Sequence, residues 1–236
     1  MSRRTTHEAT GRRAEVGAGV RASLAAGLGL FPLGVAFGLL VVQSGLPWWL
    51  APALSVAVFA GSLELLLVGM ISGGASIAAI AVTTLVVNFR HVFYAFSFPL
   101  RVVRNPLARA YSVYALIDEA YAMTAVRPDG WTAWRLLSMQ VCFQAYWVVG
   151  GLTGVAVASL LPGPVEGLEF ALCALFITLT LDGARSRREV PSLLLAGLAF
   201  TVAVLAAPGS VLLAGLVILV ALLLVRCALA KGGSRA

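Results

Sequence analysis

Glu64, Arg90, Asp118 and Glu119 are ionisable residues set well inside apolar stretches, with His91 beside the arginine. A charge at the centre of a bilayer costs roughly 2.5–3.5 kcal/mol on insertion scales, so such residues face a cavity or a partner and make functional hypotheses. Three carboxylates against one guanidinium leave negative charge that protonation, a bound cation or the ammonium of a substrate must neutralise. That imbalance points to movement of charged species across a membrane.

Helical spacing groups the polar residues. Arg90, Tyr94, Ser97 and Arg101 fall on one stripe, and Asn88 and His91 form a neighbouring one. Tyr111, Tyr114, Asp118 and Tyr121 line up at steps of three and four residues, while Glu119 points about 100° away. One acidic residue of the pair is therefore placed to hold Arg90 and the other to face a pathway. Gln140, Gln144, Trp147 and Gly151 form a stripe expected to face a bundle interior. Glu64 follows Phe59, Ala60, Gly61 and Ser62, where small residues allow a helix to open. Each group has a plainer reading: Arg90 with its carboxylate as a structural clamp, His91 as a hydrogen-bonding neighbour, the tyrosines as packing.

These residues need spanning elements to position them. The 236-residue chain is 60% hydrophobic and 11% charged, with a mean hydropathy of +0.96. Soluble domains carry roughly 25% charge, so a water-soluble fold, a disordered chain and a nucleic-acid-binding module are excluded. The expectation is an all-α polytopic integral membrane protein with about eight apolar segments of about 20 residues: Ala22–Val42, Leu50–Ile71, Ile77–Leu100, Leu107–Val126, Trp134–Leu161, Leu168–Leu181, Pro191–Ala207 and Val211–Leu229. Residues 1–21 read as a basic cytoplasmic segment, 22–230 as the membrane domain and 231–236 as a cytoplasmic tail. Trp48, Trp49, Trp131 and Trp134 stand at segment edges, where aromatic rings favour the headgroup zone.

Positive charge fixes the orientation. Arg3, Arg4, Arg12, Arg13 and Arg21 precede the first segment without a signal-peptide cleavage site, which puts the N-terminus in the cytoplasm. Arg127 and Arg135, Arg185 to Arg188, and Arg226, Lys231 and Arg235 then also lie inside, as does the C-terminus. Arg101, Arg104 and Arg109 break the rule unless segments two and four are re-entrant, and eight segments with at least one broken is the favoured arrangement. Small-xxx-small pairs at Gly34/Gly38, Gly69/Gly73 and Gly150/Gly154 suit close helix packing. Pro32, Pro52 and Pro99 are candidate kinks or breaks. The last three segments, nearly free of ionisable residues, read as scaffold or partner-facing surface.

Other chemistries lack their motifs. There is no phosphate-binding G-x-x-x-x-G-K-[ST], no H-E-x-x-H and no G-x-S-x-G, and His7 and His91 have no companion for a zinc site. No cofactor or metal is expected. Cys142, Cys173 and Cys227 are scattered and lack a paired base.

The motifs F-P-L-G-V-A-F-G at Phe31–Gly38, F-A-G-S at Phe59–Ser62, N-F-R-H-V-F-Y at Asn88–Tyr94 and I-D-E-A-Y-A at Ile117–Ala122 occur in an order and spacing that resembles the AzlC family, large subunits of bacterial branched-chain amino acid exporters. The resemblance runs from about Gly19 to the last segment. It implies a proton-coupled secondary transporter in the cytoplasmic membrane, working with a small AzlD-like membrane subunit on neutral amino acids. The family commonly has glutamine where this chain has Glu64, a departure that bears on substrate preference or proton coupling. The residues fit a zwitterion, with an acidic group for the ammonium and Arg90 for the carboxylate. Helix N-termini near Gly61 or Gly73 are further places for that carboxylate. The expected pathway residues are Glu64, Asn88, Arg90, His91, Tyr94, Asp118, Glu119 and Gln144. Two other classes remain: an intramembrane enzyme with Asp118 or Glu119 as base and His91 as acid, and a scaffold in which the charges are a folding clamp.

Overall fold

The computed structural model describes residues 2–163, 165–166, 177, 190–209 and 211–233, and every regular element there is helical. The chain forms two compact units, one of residues 1–76 and 87–165, the other of residues 77–86 and 166–236.

The first unit is organised on two long helices, α1 (Ser2–Gln43) and α8 (Ala133–Leu160), which form the most extensive helix pair. Glycine makes their approach possible. A Cβ on Gly38 would collide with the Gly151 carbonyl, one on Gly150 with the Phe31 carbonyl, and one on Gly154 with the Val35 carbonyl. Lipid offers helices no hydrophobic reason to associate, so backbone-to-backbone packing of this kind has to supply the attraction. Buried Phe37 adds to it by stacking on Trp147, with ring centroids 5.7 Å apart. Helix α1 runs through Pro32 and through the residue 21/22 boundary without interruption. The Gly69/Gly73 pair behaves differently from expectation: Gly69 is exposed, and a Cβ there meets nothing within 4 Å, so among the described residues that pair packs no helices.

Between these rods the chain is repeatedly interrupted. The second apolar segment is split into α2 (Leu50–Ala57) and α3 (Gly61–Ser72). Pro52 sits in the first turn of α2, where the missing N–H has no intrahelical partner to lose. The break lies at Phe59, whose φ of 44° is left-handed and costs about 1–3 kcal/mol unless packing enforces it. The third segment, expected as one helix from Ile77 to Leu100, is α4 (Ile77–Asn88) and α5 (Arg90–Ser97) with an interruption at Phe89. Pro99 explains its early end, because the preceding Phe98 is forced into an extended conformation (φ −69°, ψ 136°). A 3-10 turn, Leu100–Val102, follows.

The fourth segment is also two helices. In α6 (Pro106–Tyr114), Asn105 caps the start by accepting from the Leu107 and Ala108 N–H groups, with Pro106 in the first helical position. Next, α7 (Asp118–Val126) starts after the buried stretch Ala115, Leu116 and Ile117. The tyrosines and Asp118 therefore do not share one continuous helix, as their spacing had suggested.

Among the described residues three helical runs are long and apolar enough to cross a membrane: Gly11–Gln43, Ile77–Ser97 and Ala133–Leu160. Shorter apolar helices occupy Gly61–Ser72, Val190–Ala206 and Ala214–Ala228. The expected segment Leu168–Leu181, Cys173 and the basic residues Arg185 to Arg188 lie outside the described residues. In the second unit α9 (Val190–Ala206) pairs with α10 (Val211–Gly233), where Gly215 lies against the Phe200 ring and Arg226 Nη1 donates to Ser192 Oγ at 2.6 Å. Of the edge tryptophans, Trp48, Trp49 and Trp134 are exposed, but Trp131 is buried and donates through Nε1 to the Arg127 carbonyl at 2.6 Å. Its role is to hold a loop.

Candidate functional site

Both breaks flanked by acidic residues in the first unit are braced by one face of α8. Residues 140, 144 and 147 follow the i, i+4, i+7 rule that puts side chains on a common stripe. At the first break, Trp147 Nε1 and Ser55 Oγ both donate to Glu64 Oε2 at 3.0 Å, and the Ala60 N–H donates to Glu64 Oε1 at 3.0 Å. Glu64 is fully buried. Its carboxylate thus occupies the positive end of α3, an arrangement the helix dipole favours.

At the other break, Ser112 Oγ donates to Gln140 Oε1 (2.7 Å), while Gln140 Nε2 donates to the carbonyls of Ser112 (2.8 Å) and Ala115 (2.9 Å). An interrupted helix at membrane depth leaves carbonyls that only protein can satisfy, and this fully buried glutamine does so. Between the two, Gln144 Oε1 accepts from Tyr111 (3.0 Å) and its Nε2 donates to Tyr114 Oη (2.8 Å). Tyr114 in turn donates to the Val56 carbonyl at the end of α2, and its ring lies 5.9 Å from that of Phe59. Gln144, expected to line a pathway, joins α8 to both tyrosines in this lattice.

The charged pair is built where α5 meets the start of α7. Arg90 and Tyr94, one turn apart on α5, both reach Asp118, the first residue of α7. Arg90 Nε donates to Oδ1 at 2.9 Å and Nη2 to Oδ2 at 2.7 Å, a two-point fork. Tyr94 Oη adds a third donor to Oδ1 at 2.9 Å. The Tyr94 and Tyr121 rings stack with centroids 4.1 Å apart, and Ser97 Oγ reaches Tyr121 Oη at 3.3 Å. Arg90, Tyr94 and Ser97 therefore form one face of α5 turned to α7. Its fourth expected member, Arg101, lies beyond Pro99 in the 3-10 turn.

His91 stands beside the pair. Its Nε2 is 4.0 Å from Asp118 Oδ1, its Nδ1 is 3.1 Å from the Asn88 carbonyl, and its ring meets Tyr94 edge-on. Asn88 Oδ1 is buried with no hydrogen-bond partner among the described residues, an acceptor open to a donor. Glu119 follows Asp118 in the first turn of α7 and forms no ion pair among the described residues.

Exposure separates the acids. Glu64 has no accessible surface, whereas the side chains of Arg90 and Asp118 keep 37% and 44% of theirs. Glu64 is sealed and hydrogen-bonded, and Asp118 is reachable. Gly73 ends α3 instead of starting a helix, so it presents carbonyls that repel a carboxylate, and the N-terminus at Gly61 is taken by Glu64. Sequence reading put Gln140 and Trp147 on an interior stripe without making them site residues. The signal that could have found them is that a broken helix needs polar braces, and these lie on the one long helix rich in amides.

The AzlC protein family model matches residues 25–161, more than half of the chain. An uncharacterized membrane protein of Helicobacter pylori strain 26695 is 29% identical over 158 residues, covering 66% of this chain and 69% of its own. The branched-chain amino acid transport protein AzlC of Bacillus subtilis is 27% identical over 157 residues, 65% of this chain and 62% of that one. The inner membrane protein YgaZ of Escherichia coli is 24% identical over 182 residues, 73% and 74% of the two chains. No solved structure matches. The matched region contains every residue of the two braced breaks and the charged pair.

Proposed function

This chain belongs to the AzlC family of membrane proteins, and on that premise we propose that it is the large subunit of a secondary transporter carrying neutral, branched-chain amino acids out of the cell. The substrate class rests on the similarity to the Bacillus subtilis protein, whose name states branched-chain amino acid transport. The observation that carries the reading is the accessible Arg90–Asp118 fork at the junction of two interrupted helices. A zwitterion brings one carboxylate and one ammonium. It can exchange with the fork, its carboxylate taking the guanidinium and its ammonium taking Asp118, without leaving either charge bare in a low-dielectric site.

Neighbouring groups fit the same exchange. Tyr94 holds Asp118 in place while Arg90 is engaged elsewhere, and Asn88 Oδ1 offers the ammonium a neutral acceptor. His91 and Glu119 are the groups assigned to proton coupling, since each adjoins the fork without being locked in it. A small AzlD-like membrane subunit completes the transporter. Exposed apolar side chains on α5, including Phe93 and Phe96, are the surface assigned to it. Export requires no covalent step, so the substrate leaves unchanged.

The test is efflux. Cells lacking the chain, and cells expressing it with and without the small subunit, are loaded with valine-, leucine- and methionine-containing dipeptides, and free amino acids are followed outside. Faster appearance of unchanged amino acid with both subunits is expected. No difference across a broad amino acid panel contradicts the substrate assignment, and a chemically altered product contradicts transport.

A further inference from the structure

A cavity of about 570 Å³ lies between α1, the end of α7 opposite to Asp118 and the start of α8. Its chemistry is divided. Ala18, Ala22, Met123 and Val126 make an apolar wall, and Arg21, Arg127 and Arg135 bring three guanidinium groups to it. No acidic residue lines it, and none of the three arginines has an ion-pair partner among the described residues. Glu15, the acid on the adjoining turn of α1, is engaged by Thr132 Oγ1 at 2.7 Å.

Arg135 is held in position, with its Nη1 donating to the Gly130 carbonyl at 3.3 Å. Trp131, buried and fixed through its indole N–H to the Arg127 carbonyl, carries the Arg135 guanidinium 4.8 Å above its ring. A stacked guanidinium presents its edge, with its N–H donors, to a neighbour. Arg135 Nε is buried with no hydrogen-bond partner among the described residues. A buried donor left unsatisfied is costly, which makes it a mark of a missing acceptor.

We propose that this cavity binds the phosphate of an anionic phospholipid, its headgroup held by Arg21, Arg127 and Arg135 and its glycerol and first methylenes against the apolar wall. Three guanidiniums match the several oxygens of a phosphodiester, and Arg recognises phosphate through paired N–H groups. Basic pockets between membrane helices are a recurrent way of holding lipid headgroups. A free phosphate shares the anionic chemistry but would leave the apolar wall unused.

The experiment uses the full chain in detergent, with bound lipid counted by native mass spectrometry. Phosphatidylglycerol is expected to be retained at least fivefold more than phosphatidylcholine. Arg21→Gln with Arg127→Gln, both exposed, is expected to bring retention close to that of phosphatidylcholine while folded yield is unchanged. Arg101→Gln with Arg104→Gln, the same charge change in another loop, is expected to leave it unaltered. Equal retention of the two lipids, or equal effects of the two double variants, overturns the proposal. Displacement of the lipid by millimolar inorganic phosphate overturns the lipid assignment in favour of a soluble anion.

Discussion

Arg90→Ala and Asp118→Asn are each expected to lower amino acid efflux by at least about tenfold, with the protein still present in the membrane. A hydrogen bond to a charged group is worth about 1.5–3 kcal/mol, and about 1.4 kcal/mol is a factor of ten, so loss of one point of substrate attachment suffices. The fork is partly open, so removing one partner costs the fold less than it would in a sealed core. Efflux measured against membrane protein level in the same cells separates the two effects. The double variant Arg90→Asp with Asp118→Arg gives a sharper contrast. A folding clamp is restored by reversing its charges. A substrate site is not, because Tyr94 would then face a guanidinium instead of the carboxylate it holds. Recovery of efflux in the double variant would assign the pair to folding.

Glu64→Leu is expected to damage the protein through stability before substrate. The substitution strips the acceptor from the Trp147 indole, the Ser55 hydroxyl and the Ala60 N–H at once. Each buried donor left unpaired costs about 1–3 kcal/mol, enough together to lose most of the folded protein. Glu64→Gln keeps one oxygen and loses only one of the three bonds, so it falls between wild type and Glu64→Leu in folded yield. The check is thermal unfolding of the purified full chain in detergent. Leucine equal to wild type would show that the α2–α3 break stands without its brace. If Glu64→Gln keeps its fold but changes the order of preferred amino acids, the carboxylate bears on specificity as well.

Much of this was legible because membranes punish polar residues. That one acid of the Asp118 and Glu119 pair holds Arg90 followed from opposite charges within two apolar segments, and close helix packing at Gly34, Gly38, Gly150 and Gly154 from their small-xxx-small spacing, though not which helices they join. The opening before Glu64 followed from the small residues around Gly61. What sequence could not supply was the conformation of short linkers. Ala115, Leu116 and Ile117 are good apolar helix or strand residues, and nothing in their types announces that Gln140, far along the chain, satisfies the backbone groups freed there. The same gap broke the apparent tyrosine stripe. Periodicity assumes an unbroken helix, and it misled wherever a tertiary brace made a break affordable. The motif at Phe31–Gly38 proved to be the glycine face of α1, and the other three motifs mark the start or interruption of a helix at the site.

Arg90 and Asp118 are proposed to read the two charges of one zwitterion. The most direct measurement is competition: membrane vesicles containing the chain and its small subunit exchange labelled leucine against excess leucine, its decarboxylated amine or its deaminated acid. Unlabelled leucine is expected to block exchange, while the amine and the acid each compete at least about tenfold more weakly, since each leaves one member of the fork without its charge partner. Competition by either analogue equal to that of leucine would contradict the account.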